Sequence, residues 1–240
     1  MSEESPLKEL LDFMQNSAYF RVVLFGASNT ERYYPYTHWG DVLEAGLRWR
    51  YERKFHLINS GVNGNNTREA LRRFDRDVAS FAPDIVIVTL GGNDCIPAPS
   101  RHVPETEFAA NMSLIARKIR QLGAYPVFQT YYKMDSANME PQRAENFLRY
   151  MQIVRQCAIA DKILLVDQYK VFDRADMDTL RYKLLINAMH VSEYGNMLMG
   201  TVLLNRLQID ARKLYHGEKV LAAAELFRQL TGCEPGSGLQ

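Results

Sequence analysis

Ser28 stands in the turn Gly26-Ala27-Ser28-Asn29-Thr30, directly after an apolar run. A serine hydroxyl is a weak nucleophile until a base takes its proton. His190, in Asn187-Ala188-Met189-His190, is such a base, because imidazole titrates near neutral pH. Attack on an ester builds negative charge on the carbonyl oxygen, and fixed hydrogen-bond donors stabilise it. Three donors are at hand: the Ser28 N–H, the Gly61 N–H in Asn59-Ser60-Gly61-Val62-Asn63-Gly64, and the Asn93 carboxamide in Gly91-Gly92-Asn93-Asp94. A glycine at 61 lets the backbone approach a ligand closely. These are the parts of an acyl-transfer site.

Such parts work only if one scaffold carries them to one place. Short β-rich runs end just before the Ser28, Gly61 and Asn93 turns. Residues 20–25 read as a strand ending at Gly26, 54–59 as a second and 84–90 as the strongest, a near-continuous β-branched run of the kind covered on both faces. Residues 124–130 read as a fourth, with Pro126 pointing to an irregular or edge position, and 162–167 as a fifth. Between them lie helical patterns: Phe108, Met112, Ile115, Ile119 and Leu122; a helix opening at Glu140-Pro141; one after Asn66-Thr67 running to about Ser80; and a mostly helical stretch from Ser192 to about Leu230. Alternating strands and helices predict one α/β domain over 1–232, a parallel five-stranded sheet in a three-layer α/β/α arrangement, with 233–240 a flexible Gly/Ser-rich tail. In such sheets ligands sit beyond the carboxyl ends of the strands, which is where these turns fall.

The order of the turns resembles the SGNH (GDSL-type) hydrolases, esterases and lipases of a flavodoxin-like fold. Gly26-Ala27-Ser28-Asn29 matches that family's first block, Asn59, Gly61 and Gly64 its second, Gly91-Gly92-Asn93-Asp94 its third, and Asn187-Ala188-Met189-His190 its last. The resemblance spans about residues 21–200. It implies Ser28 as nucleophile, His190 as base, Gly61 and Asn93 as oxyanion donors with the Ser28 N–H, and position 187 as the third triad member. Two departures stand out. Ala27 replaces an Asp beside the serine, away from the chemistry. Asn187 replaces the carboxylate that would orient the histidine and stabilise imidazolium; the same change in the serine-protease template costs about 10⁴ in kcat. A slower Ser-His enzyme, an inactivated form, and a non-catalytic binding relative are the alternatives this leaves.

Other residues take quieter roles. Asp94 is expected to tie its loop together, and Cys95 to be a small packed residue. Gly64 is expected to serve turn geometry alone. His38, His56, His102 and His216 fall in no block. Trp39 and Trp49 are expected in the core. Tyr33, Tyr34 and Tyr36 follow the first strand, and Tyr131 and Tyr132 the fourth. They are candidates for a stacking wall beside the site, ordinary ring packing being the competing reading.

Composition narrows the function. Of 240 residues 47% are hydrophobic and 24% charged, with a net charge of +1, so neither a basic nucleic-acid surface nor an acidic tail is present. No apolar run approaches the ~18 residues of a membrane span, and the acidic start is unlike a secretory leader. Cys95, Cys157 and Cys233, odd in number and widely spaced, suit a reducing cytoplasm rather than a disulfide or zinc framework. The expectation is a cytoplasmic serine esterase acting on a small-molecule ester through an acyl-enzyme, needing no metal or organic cofactor. The absence of a large apolar insertion favours short-chain or acetyl esters, on a sugar for example, over triglycerides. A flavodoxin-like flavin-binding module is the alternative from another class. The α/β-hydrolase fold fails on order, since its Gly-x-Ser-x-Gly serine follows a mid-chain strand and Thr30 stands where that motif has Gly.

Overall fold

The computed structural model describes residues 4–214 and 217–237. In chain order the helices and strands are α1 (Glu4–Asn16), β1 (Phe20–Gly26), α2 (Trp39–Tyr51), β2 (Phe55–Gly61), α3 (Thr67–Asp77), β3 (Ile85–Thr89), α4 (Glu105–Gln121), β4 (Tyr125–Gln129), α5 (Pro141–Ala160), β5 (Leu164–Val166), α6 (Gln168–Phe172), α7 (Met177–Thr179), α8 (Glu193–Arg206) and α9 (Gly217–Thr231). They fall into two compact units, each assembled from separate stretches. The first is Met1–Tyr33, His56–Tyr131 and Met139–Leu165; the second is Tyr34–Phe55, Tyr132–Asn138 and Val166–Gln240.

The sheet belongs to the first unit apart from Phe55 and Val166 at its margins. Its order is β2-β1-β3-β4-β5, with helices flanking it, as expected for the flavodoxin-like α/β class. β1 and β3 pair in parallel with Gly26 opposite Thr89, so the turns that follow these two strands leave the sheet side by side. All five residues of β3 are buried, as its β-branched run requires. β4 lies between β3 and β5, so Pro126 is not at an edge. The Tyr125 N–H donates toward β3, to the Asp84 carbonyl at 2.8 Å. In a parallel ladder the next N–H faces the other way, toward β5, and that strand is only three residues long. Pro126 therefore removes a donor that has little to pair with.

Local chemistry sets the helix ends. Asn66 and Glu69 form a reciprocal capping box at the start of α3. Glu140 caps α5, accepting from the N–H groups of Gln142 and Arg143 at 2.9 and 2.7 Å, with Pro141 in the first turn. The helix expected to reach about Ser80 ends at Asp77, and a 3₁₀ turn over Ala79–Phe81 follows. Ala82 then adopts a left-handed φ of 45°, consistent with the bar on helix before Pro83. α1 carries no expectation from sequence, yet Leu7, Leu10 and Met14 recur at helical spacing and are buried. Its Phe13 packs against Phe20 and Tyr125, with ring centroids 6.4 and 5.0 Å apart.

In the second unit α8 is buried on nearly every side from Gly195 to Arg206. The Trp39 N–H, at the start of α2, donates to the Asn196 side chain of α8 at 3.2 Å. Trp39 is fully buried. Trp49 is 39% exposed, contrary to expectation, and carries Lys213 over its ring at 5.4 Å. The stretch after Ser192 divides into α8 and α9 with a 3₁₀ turn, Ala211–Lys213, between them. Of the stretch expected to be flexible, 238–240 lie outside the described residues. Gly236 donates its N–H to Asn205 at 2.6 Å, and Glu234 accepts from Arg212 at 2.6 Å, so the described part is tethered.

Candidate active site

Ser28 follows β1 in a tight turn. The Ala27 carbonyl accepts from the N–H groups of both Thr30 and Glu31, at 2.9 and 2.8 Å. Ala27 itself is buried, and Ser28 is partly exposed. The β2 turn is built against this one. Asn59 donates through Nδ2 to the Thr30 carbonyl at 2.6 Å, and the Val62 N–H donates to the Gly26 carbonyl at 3.1 Å. A Cβ on Gly61 would lie 2.1 Å from the Glu31 nitrogen, so only glycine permits this approach.

Gly61, expected as an oxyanion donor, has a partner within its own loop. Its N–H donates to Asn59 Oδ1 at 2.9 Å, inside the loop, and is committed there. Gly61 is required for close packing of the two turns.

Asn93 follows β3. Its Nδ2 donates to the Asn65 carbonyl at 3.0 Å, which fixes the carboxamide plane and uses one of its two hydrogens. The loop around it is pinned from below. Asp94 Oδ1 accepts from both the N–H and hydroxyl of Thr67, at 2.9 and 2.5 Å, joining the β3 turn to the start of α3. Burial pushes the Asp94 carboxyl up to about 6 against the pull of those bonds. Asp94 thus ties its loop, as expected. α5 adds Arg143 to the Gly92 carbonyl at 3.3 Å and Asn146 to that of Cys95 at 3.0 Å. Gly91 turns the chain at φ 112°, a conformation that favours glycine. Cys95 is fully buried, and burial raises its thiol to about 11, so it is a packed residue and not a reactive one.

His190 lies in the second unit, at the end of a loop closed by an isolated bridge between Leu185 and Val191 and by an Ile186 N–H to His190 carbonyl bond of 2.9 Å. A π-helical turn, Leu180–Leu184, leads into it. Asn187 Oδ1 accepts from the N–H groups of Met189 and His190, both at 2.9 Å, and lies 3.1 Å from His190 Nδ1. The two backbone donors decide which end of the amide is oxygen. An oxygen can only accept, so Nδ1 carries the ring proton and Nε2 carries the basic lone pair. Asn187 holds the histidine tautomer that a carboxylate would hold, without its charge.

The same loop corrects the aromatic assignments. Tyr132 is fully buried, and its hydroxyl donates to the Met189 carbonyl at 2.6 Å. The Asp135 N–H donates to the Ala188 carbonyl at 3.0 Å, and Arg181 grips the Asp135 carboxylate at 2.7 and 2.9 Å. That pair holds the Asp135 carboxyl below its usual range, chiefly through the Arg181 hydrogen bonds. Tyr131 is 2% exposed, stands edge-on to Phe147 at 6.3 Å and is hydrogen-bonded to Asn29 beside Ser28. Neither Tyr131 nor Tyr132 forms an exposed wall; both buttress the turns that carry candidate groups. Tyr33 and Tyr34 are 74% and 37% exposed. Tyr34 stacks on Tyr36 at 5.2 Å with 4° between the rings, and the Tyr36 hydroxyl donates to the Val191 carbonyl at 3.1 Å, next to His190.

Tyr132→Phe separates the two assignments. Leaving the Met189 carbonyl without its buried donor costs about 1–2 kcal/mol, lowering Tm by roughly 2–8 °C in a thermal melt. An unchanged Tm with a raised KM would restore Tyr132 to substrate contact.

Sequence reasoning missed Arg73, buried beneath the β1 and β2 turns. The available signal was position: Thr67, Ala70, Arg73 and Phe74 share the buried face of α3, where a charge is out of place without partners. His38 also has a structural task, its Nδ1 accepting from the Gly40 N–H at 3.0 Å as the cap of α2. His56 is exposed, His102 stands edge-on to Tyr150 at 6.2 Å, and His216 lies outside the described residues. Among the described residues no group of three or more His, Cys, Asp or Glu side chains could hold a metal ion, and no helix is long and apolar enough to cross a membrane.

Comparison with known proteins agrees with this scaffold. An Arabidopsis thaliana GDSL esterase/lipase, CPRD49, is 26% identical over 198 residues, covering 75% of each chain. An acetylxylan esterase of Geobacillus stearothermophilus is 24% identical over 165 residues, 66% of this chain and 75% of that one. The crystal structure of a catalytic mutant of the acetylxylan esterase Axe2, from the same organism, superposes with a TM-score of 0.71 at 21% identity, covering 81% of this chain and 97% of that one, a likeness of fold. Residues 24–198 match the GDSL-like lipase/acylhydrolase family, so the chain belongs to that family and, with it, to the SGNH carboxylic ester hydrolases.

Proposed function

We propose that this chain is a serine esterase that cleaves short-chain or acetyl esters through an acyl-enzyme. Ser28 Oγ attacks the ester carbonyl while His190 Nε2 takes the hydroxyl proton. The oxyanion is met by the Ser28 N–H and the Asn93 amide. The Gly64 N–H replaces that of Gly61 as third donor, since Gly64 precedes the Asn65 whose carbonyl holds Asn93 and turns the chain at φ 76°. The protonated His190 then returns its proton to the departing alcohol, and water repeats the sequence on the acyl group. The observation that supports this reading is the 3.1 Å contact of Asn187 Oδ1 with His190 Nδ1, which leaves the ring's lone pair on Nε2. Tyr33 and the stacked Tyr34 offer the alcohol part a flat apolar surface, such as a sugar ring takes. The activity is carried by one domain, residues 1–232. The three cysteines, none of them in a disulfide, support a cytoplasmic setting.

A fluorophosphonate label read by peptide mass tests the nucleophile. An adduct on the peptide containing Ser28 is expected; folded protein with no adduct there would end the esterase reading.

The uncharged Asn187 favours a second reading, a weakened or non-catalytic binding protein, and Asn187→Asp decides between them. Two charges ~4 Å apart at an effective dielectric of about 20 interact by roughly 4 kcal/mol before desolvation is subtracted. Half of that retained in the transition state raises kcat by roughly 30-fold. The new carboxylate also favours imidazolium, so the acid limb of the kcat profile moves to higher pH. Both effects are read on a p-nitrophenyl ester. An Asp form no faster than the parent, both folded, would show that the loop no longer serves hydrolysis.

A further inference from the structure

Arg73 leaves α3 and passes beneath the turns that follow β1 and β2. Its side chain is 7% exposed. Nη2 donates to the Gly26 carbonyl at 2.8 Å, two residues before Ser28. Nη1 donates to the Ser60 carbonyl at 2.8 Å, and Nε to Asn65 Oδ1 at 2.6 Å. Asn65 is the residue whose own carbonyl holds the Asn93 amide. The charge is balanced by Asp77 Oδ2 at 3.2 Å and by the Phe25 ring, whose centroid lies 4.5 Å from the guanidinium carbon. Asp77 completes the circuit, since its carbonyl accepts from the Ser60 hydroxyl at 2.7 Å.

We infer that Arg73 is a positioning residue that locks the Ser28 turn, the β2 turn and the Asn93 amide into one register. Each bond could be replaced singly by water or a side chain, but a planar fork with five donors holds both turns from one rigid group and reaches the Asn93 amide through Asn65. Lysine offers the same charge from a single point and cannot span them. The site demands such a part, because a nucleophile and its oxyanion donors must keep their spacing while charge develops, and a displacement of ~1 Å costs about 10²-fold in rate. The catalytic consequence rests on the esterase reading; the clasp itself does not.

Arg73→Lys, studied in the whole chain, tests both parts. Hydrogen–deuterium exchange read by mass spectrometry should show peptides over 26–31 and 60–66 exchanging at least tenfold faster than in the parent, with the α5 peptide unchanged. On folded protein kcat and the rate of fluorophosphonate labelling should fall together, roughly 10- to 100-fold, with KM kept. Parent-like exchange at both turns would overturn the clasp. Uniformly faster exchange, with a lower Tm and the parent kcat in the folded fraction, would overturn it too, leaving Arg73 a general stabiliser. Should the lysine form not fold, Asn65→Ala removes one leg of the clasp only, and a three- to tenfold loss of kcat is expected; the parent kcat there would count against the inference. If the parent itself takes no label, the esterase reading fails while the exchange pattern still decides the clasp.

Discussion

Ser28→Ala should abolish ester cleavage and leave the fold as it is. The turn that carries Ser28 closes through the Ala27 carbonyl and the N–H groups of Thr30 and Glu31, backbone bonds that the substitution leaves in place. In the proposed mechanism the chemistry depends on the hydroxyl entirely, because no acyl-enzyme forms without an oxygen at that position. In the serine-protease template, loss of the nucleophile costs about 10⁶ in kcat, with the residual rate coming from binding and the oxyanion donors. A loss of that order is expected here on p-nitrophenyl acetate, alongside a parental circular dichroism spectrum and a Tm within about 2 °C, as befits a partly exposed position. Hydrolysis continuing at the parent rate would remove Ser28 from the mechanism.

Asn93→Ala should lower kcat by roughly 10²–10³ with KM nearly unchanged, a loss of about 2.7–4 kcal/mol of transition-state stabilisation. The bond from Nδ2 to the Asn65 carbonyl explains why so much rides on one amide. In the proposed mechanism it holds the donor in place before charge appears, so little reorganisation accompanies the reaction. The split between kcat and KM is the decisive reading. A substrate carbonyl is a modest acceptor and an oxyanion a strong one, so a transition-state donor shows in kcat. A rise in KM alone would make Asn93 a group that binds the resting ester.

Much of the scaffold is legible in the sequence because it rests on local chemistry. The β-branched run of β3, the Asn66–Glu69 box and the Glu140-Pro141 start each carry their cause within a few residues. The flavodoxin-like sheet and the family are implied by the resemblance that the four motifs carry to the SGNH hydrolases. What is not legible depends on partners distant in the chain. Tyr132 looks like a surface aromatic until the Met189 carbonyl, 57 residues on, takes its hydroxyl. Gly61 looks like a donor until Asn59 folds back on it. Pro126 looks like an edge residue until the shortness of β5 is known. Arg73 gives the clearest case: its neighbour Arg72 is exposed, and only the helical phase of α3 tells which of the two turns inward.

The two compact units are interleaved along the chain. It passes from one to the other after Tyr33, Phe55, Tyr131, Asn138 and Leu165. No single cut, and no single contiguous fragment, yields either unit whole. A gene fusion, a truncation or an exchange between relatives that broke the chain inside 34–165 would therefore split both at once. The Ser28 turn and the His190 loop are encoded far apart, and each is supported by chain that the other unit interrupts. Such a protein cannot be shuffled as modules.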